Sequence, residues 1–173
     1  MATEMAPPEP LRVALNDGVL TLGTLGPICV YLYRDLMNHT HISRGRALHK
    51  SQHKRHPEGL GVLIIYRTPR YLGSEMTELR AEFVALMHEA NDLVKHVAVV
   101  IEETGFLGAT IRASAAGLSM LGRPKFAIRY LSSVREATQW LCAQSPREAP
   151  TEQALRAAVE QMEAMPPGAL LNP

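Results

Sequence analysis

The sequence predicts an α/β domain on a mostly parallel central sheet, and three observations predict it. Apolar runs of strand length alternate with segments of helical period along most of the chain. Two of those runs, "GLGVLIIYR" (59–67) and "HVAVVIEE" (96–103), are almost continuously apolar, as strands covered on both faces are. Ahead of them, Asn16-Asp17-Gly18 between two short alternating runs is a strong hairpin signal, because Asn/Asp-Gly accepts positive φ. Strands separated by helices pair in parallel, since the crossover brings the chain back to the end where it started.

Taken in order, "LRVALNDGVLTLG" (11–23) gives the hairpin, and "ICVYLYRDLM" (28–37), after Gly26-Pro27, reads as a strand buried at its start. Thr40 can cap a first helix running to about His56, where Pro57 and Gly59 forbid continuation. The apolar strand 59–67 follows, then the loop "TPRYLG" (68–73), and Ser74 caps a second helix from Glu75 to about Val94. Its core stripe is Met76, Leu79, Phe83, Leu86, Met87, Ala90 and Val94, flanked by Glu78, Glu82 and Glu89. After the strand 96–103 comes a third helix, Phe106 to Leu121, and then the alternating strand "KFAIRYL" (125–131). Ser133 and Glu136 form a capping box for a fourth helix through Cys142. "AQSPREAP" is linker, Thr151 to Met165 an amphipathic helix on Leu155, Ala158, Val159 and Met162, and "PPGALLNP" tail. The expected organisation is a disordered arm over 1–10, an α/β domain over 11–144, and a linker, extra helix and tail over 145–173.

Composition narrows the class. Aromatic residues are 5% against 46% hydrophobic, so the core is mainly aliphatic. Eighteen basic and seventeen acidic residues nearly cancel, so no global field favours nucleic acid. Cys29 and Cys142 are too few for a disulfide framework and read as reduced thiols of a cytoplasmic protein. No apolar run reaches membrane-spanning length, and "MATEMAPPEP" has neither the basic start nor the apolar stretch of a signal peptide.

The element order resembles the STAS domain of bacterial anti-sigma-factor antagonists and related SEC14-like modules, and within these a group of small bacterial STAS-like proteins. The stretches that carry the likeness are "HPEGLGVLII", "VAVVIEETGFLGATIRASAAGL" and "YLSSVREATQWL", and it covers about Leu11 to Cys142. It implies a mostly parallel sheet with an N-terminal β-hairpin and about four flanking helices, to which this chain adds a C-terminal one. Phosphoswitch members of that family carry an Asp-Ser-Ser/Thr-Gly turn at the start of the second helix. Here the place reads "YRTPRYLGSEMTE", with neither the Asp nor the Gly around Ser74. Ser74 is more simply an N-cap, and Thr68 is the weaker phosphosite candidate.

No catalytic constellation stands out. Five of the seven histidines lie between His39 and His56, and His49 and His53 share a helix face. Zinc needs three or four convergent ligands, and that helix has no carboxylate and no nearby cysteine, so packing is the simpler reading. The same segment holds Arg44, Arg46, Lys50, Lys54 and Arg55 with no acid. This is a solvated face or, on Arg46, Lys50 and Lys54, a docking face for an acidic partner. Glu102 and Glu103 end a strand at its carboxyl edge, where open α/β sheets place ligands, but alternation sends them to opposite faces. No phosphate loop, nucleophile elbow or Cys–His pair is present, so neither an enzyme nor a cofactor is expected.

The third helix carries only one charge, Arg112. On a helical projection Leu107, Ile111, Leu118 and Leu121 form a bulky arc to face the sheet, opposite the small surface of Gly108, Arg112, Ala115 and Ser119. That small surface is either covered by the last helix or is an interface for a partner protein or a second copy. The leading expectation is a non-catalytic, STAS-like interaction module of bacterial cytoplasmic signalling. The alternative is a SEC14-like binder of a small apolar ligand or lipid between sheet and helix.

Overall fold

The computed structural model describes residues 9–68, 76–144 and 149–172. Its six strands are β1 (Arg12–Asn16), β2 (Leu20–Leu25), β3 (Ile28–Tyr33), β4 (Leu60–Tyr66), β5 (Val94–Ile101) and β6 (Ala127–Leu131). The helices are α1 (His39–Arg55), α2 (Met76–Ala90), α3 (Gly105–Leu121), α4 (Val134–Gln144) and α5 (Glu152–Ala164). All six strands form one sheet in the order of the chain. The first two pairings are antiparallel and the last three parallel, so the α/β class and the mostly parallel sheet with its N-terminal hairpin are as expected.

Short-range chemistry sets the hairpin. Gly18 takes φ +90°, and Asp17 Oδ1 accepts from the Val19 and Leu20 amides at 2.9 and 2.8 Å, closing the turn. A second turn joins β2 to β3 through Gly26, at φ +55°, and Pro27. β3 is buried along its whole length, not only at its start. The first helix begins two residues earlier than a Thr40 cap would place it, because Asn38 is the cap. Asn38 Oδ1 accepts from the His41 amide at 3.0 Å, and His41 Nδ1 accepts from the Asn38 amide at 3.3 Å. At α4, Ser133 Oγ accepts from the Glu136 amide at 3.2 Å, and at α5 Thr151 Oγ1 accepts from Ala154 at 3.1 Å.

Strand order decides where the helices go. From β3 to β6 each strand is added on the same side of the last, and right-handed crossovers then put α1, α2 and α3 on one face. The other face is left to α4 and α5, which pack on each other and on β2 to β6. Two cores result. Val30, Leu63, Ile65, Ala98 and Val100 meet Leu141, Leu155, Val159 and Met162 on one side. Tyr31, Tyr33, Val62, Val97, Val99 and Ile101 meet α1 and α2 on the other.

This arrangement removes one of the two accounts of the small α3 face and carries the domain past residue 144. The last helix lies on the opposite side of the sheet from α3 and does not cover it. The segment after 144 is no appendage either, because α5 shares the α4 core and the tail closes the sheet edge. Leu171 O accepts from the Val13 amide at 2.7 Å, Asn16 O from the Gly168 amide at 2.7 Å, and Leu11 O from Asn172 Nδ2 at 3.0 Å. Arg34 Nη2 holds the C-terminal end of α5 through the Met162 carbonyl at 2.9 Å, and Arg67 pairs with Glu102 and Glu163.

Candidate functional site

An opening lies between the sheet and α1–α3. Period-2 alternation puts Tyr31 and Tyr33 of β3 on that face with Val62, Ile64 and Tyr66 of β4 and Val97 and Val99 of β5. Tyr33 and Tyr66 are register partners, so their rings stack at 5.3 Å with planes 13° apart. Tyr31 stacks on Tyr33 at 6.4 Å. Over this floor, α1 contributes His41, Ile42 and His49, α2 Phe83, Leu86, Met87 and Ala90, and α3 Ala115, Leu118 and Ser119. The cavity measures about 90 Å³, is partly open, and is walled mainly by apolar groups.

Its polar groups are few and mostly paired with one another. Tyr31 Oη lies 2.9 Å from His49 Nε2. Tyr130 Oη bonds Ser119 Oγ and donates to the Ala115 carbonyl at 3.0 Å. His41, 0% exposed, bonds Asp17 Oδ2 through Nε2 at 2.8 Å, locking the hairpin turn to the start of α1. Burial pushes the Asp17 carboxyl up, but bonds from the Leu20 amide, the His41 ring and the Val19 amide outweigh it and hold it below its usual range. Burial raises the Tyr31 and Tyr33 hydroxyls well above the ordinary tyrosine range, and it lowers His49 to about 4. All three are therefore uncharged at neutral pH.

The geometry turns α3 part of the way from the orientation expected. Ile111 and Leu118 face the sheet side as the projection has them, but Leu107 and Leu121 do not, and the small face turns inward instead. Gly108 and Ser119 are buried, Ala115 and Ile111 pack on the sheet-side core, and Arg112 reaches back to the Ile101 and Glu103 carbonyls at 3.2 and 2.9 Å. Leu107 and Leu121, expected to face the sheet, are 59% and 45% exposed, beside Phe106 at 89% and Met120 at 67%. The reason is distance. A Cβ at Gly108 would lie 2.0 Å from the Glu103 carbonyl oxygen, so only small residues let α3 approach its own preceding turn. Gly108→Ala should thus destabilise the fold by about 1–3 kcal/mol in urea melts, despite alanine's advantage in a helix. An unchanged midpoint would show that the small face is not needed for this approach.

The other candidates are not brought together. Arg46 Nε and Lys50 Nζ lie 3.1 and 3.2 Å from Glu89 Oε2, Arg46 without hydrogen-bond alignment, so two of the three docking-face cations face an acid of α2. Lys54 is exposed. Thr68 Oγ1 donates to the Arg34 carbonyl at 2.7 Å, and Ser74 lies outside the described residues. Among the described residues no three His, Cys, Asp or Glu side chains converge as metal ligands would. No helix among them is long and apolar enough to cross a membrane. The cavity itself was only half legible: alternation marks Tyr31, Tyr33 and Tyr66 as one face, but the gap above them depends on how α2 and α3 sit. No protein-family model, curated protein or solved structure matches this chain.

Proposed function

We propose that this chain is a non-catalytic, STAS/SEC14-like module that holds a small apolar ligand between its sheet and helices. The observation that carries the reading is the cavity: about 90 Å³, apolar, and floored by stacked tyrosines. Interiors normally close such gaps, and an apolar void without polar partners for water tends to stay dry and to accept apolar guests. A binding role also suits the polar groups of the wall, which pair among themselves as His41–Asp17, Tyr31–His49 and Ser119–Tyr130.

The test is a titration with dissolved cyclohexane, followed by the methyl signals of Val97 and Val99. Saturable shifts are expected in the native protein. Ala115→Trp, which puts an indole into the cavity from α3, should abolish them while the far-ultraviolet circular dichroism is unchanged. Shifts that never saturate, or that persist in Ala115→Trp, would remove the reading.

A second reading, a protein-interaction module in bacterial cytoplasmic regulation, is favoured by one observation. Phe106 and Leu107 near the start of α3, and Met120 and Leu121 at its end, are large apolar side chains left exposed. Under it, Phe106→Ser with Leu121→Ser should abolish capture of a partner or lower the mass in solution, without touching cyclohexane binding.

A further inference from the structure

The two edges of the sheet are treated differently. Along β1 the tail supplies partners: the Val13 amide and the Asn16 and Leu11 carbonyls all bond to residues 168–172. β6 ends the strand order on the other side and pairs only with β5. Among the described residues no backbone group of Ala127–Leu131 has a partner on the outer side. Every second residue of a strand turns its N–H and C=O the same way, so this edge carries a row of unmet donors and acceptors. None of its five residues is buried, whereas β2 and β3 are buried throughout. The devices that keep natural edges from pairing are thin here. β6 has no proline and no bulge, and its one charge is Arg129.

Charge restricts what can lie there. From Thr104 to Arg135 the chain has no acid. Arg123, Lys125, Arg129 and Arg135, which run from just before β6 to just after it, are all exposed. None of them pairs with an acid among the described residues. A second copy fits badly. Antiparallel pairing of β6 with itself about Arg129 sets that residue against its own copy and brings Arg123 towards Arg135. No other register helps, because β6 and its flanks have no acid to offer. The two faces of the edge also differ. Ile128 and Tyr130 are register partners of Val97 and Val99 and turn to the α3 side. Arg129 turns to the other side, its guanidinium 5.4 Å from the centre of the Trp140 ring.

We infer that β6 receives an extended acidic segment of another protein as a seventh strand. That segment alternates, with apolar side chains on the α3 side and carboxylates on the side of Arg129 and Trp140. Main-chain bonds along the edge hold it, and the exposed cations select it. Two end-capped peptides of one length and shape test this in the full chain: Thr-Val-Glu-Val-Thr-Val-Glu-Val-Thr and its counterpart with Gln for Glu. Trp140 is the single tryptophan, so its fluorescence should change saturably as the Glu peptide arrives. At low salt the Gln peptide should bind about three- to tenfold more weakly, as exposed ion pairs imply. At about 0.5 M salt that difference should vanish. Alternate β6 amides should exchange quickly with solvent in the free chain and slowly with either peptide bound. In Arg129→Gln with Arg135→Gln, both exposed positions, the two peptides should bind alike while the amide protection remains. Binding that leaves the β6 amides unprotected would remove the edge from the contact. Equal affinities at low salt would rule out the acidic class. No saturable binding of either peptide up to about 1 mM would overturn the proposal whole. So would a free chain that is already dimeric with β6 protected, which gives the edge to a second copy. A single-stranded DNA oligomer that binds more tightly than the Glu peptide would give the cations to nucleic acid and end the peptide reading. None of these outcomes bears on the cavity, which the cyclohexane titration tests separately.

Discussion

A chain ended after Pro150 is expected to lose its cooperative unfolding transition. The removed residues include Leu155, Ala158, Val159 and Met162, which are 0 to 4% exposed and fill the core between α5, α4 and the sheet. Truncating one such Leu or Met to alanine costs about 2–5 kcal/mol, against a total stability of about 5–15 kcal/mol for a typical domain. Losing four together, with the tail that bonds along β1, exceeds what the fold can lose. Leu155→Ala alone should lower stability by about 2–5 kcal/mol and leave a folded protein for comparison. The measurement is a urea melt followed by circular dichroism. A truncated chain whose urea midpoint matches that of the full one, with a transition as sharp, would show that α5 is an appendage after all.

Acid is expected to destabilise the fold well before its carboxylates are protonated, through His49. The folded state holds this ring near 4, because burial disfavours the cation, whereas the unfolded ring titrates near its ordinary 6.5. Above pH 6.5 both states are neutral and nothing is lost. Between 6.5 and 4 the unfolded chain binds a proton that the folded chain refuses, so stability falls as pH falls. The separation of the two values corresponds to roughly 3 kcal/mol, complete near pH 4. His96 acts in the same direction, its value lowered by burial and by Lys95. Urea midpoints at pH 7 and pH 4.5 measure the effect, and Tyr31→Phe with His49→Phe should flatten most of the slope. A midpoint that does not change across that interval would show His49 to be more solvated than its position implies.

Element order, the hairpin turn and the amphipathic α5 were legible in the sequence because each depends on neighbours in the chain. Asn16-Asp17-Gly18 closes its own turn, Thr151 and Ser133 satisfy amides three residues on, and the stripe from Leu155 to Met162 has the helical period whatever it packs against. Even here local chemistry had an exception. The Asn38 cap is completed by a histidine three residues on, where the familiar signal is Glu or Gln, and so Thr40 looked like the better start.

The orientation of α3 and the site of α5 were decided only by the tertiary structure. A helical projection ranks faces by hydrophobicity and sends Leu107 and Leu121 inward. In the fold the inward face is the one narrow enough to fit, because the carbonyl of Glu103 leaves no space for a Cβ at Gly108 and the Tyr130 hydroxyl needs Ser119 and the Ala115 carbonyl above it. The placement of α5 follows from strand order, which no single segment encodes. Once β3 to β6 run in one direction, three crossovers occupy one face, and the last amphipathic helix must cover the other. The cavity is a product of the same two facts: a floor of tyrosines set by alternation in each strand, and a roof of three helices whose spacing is determined by the steric fit of α3.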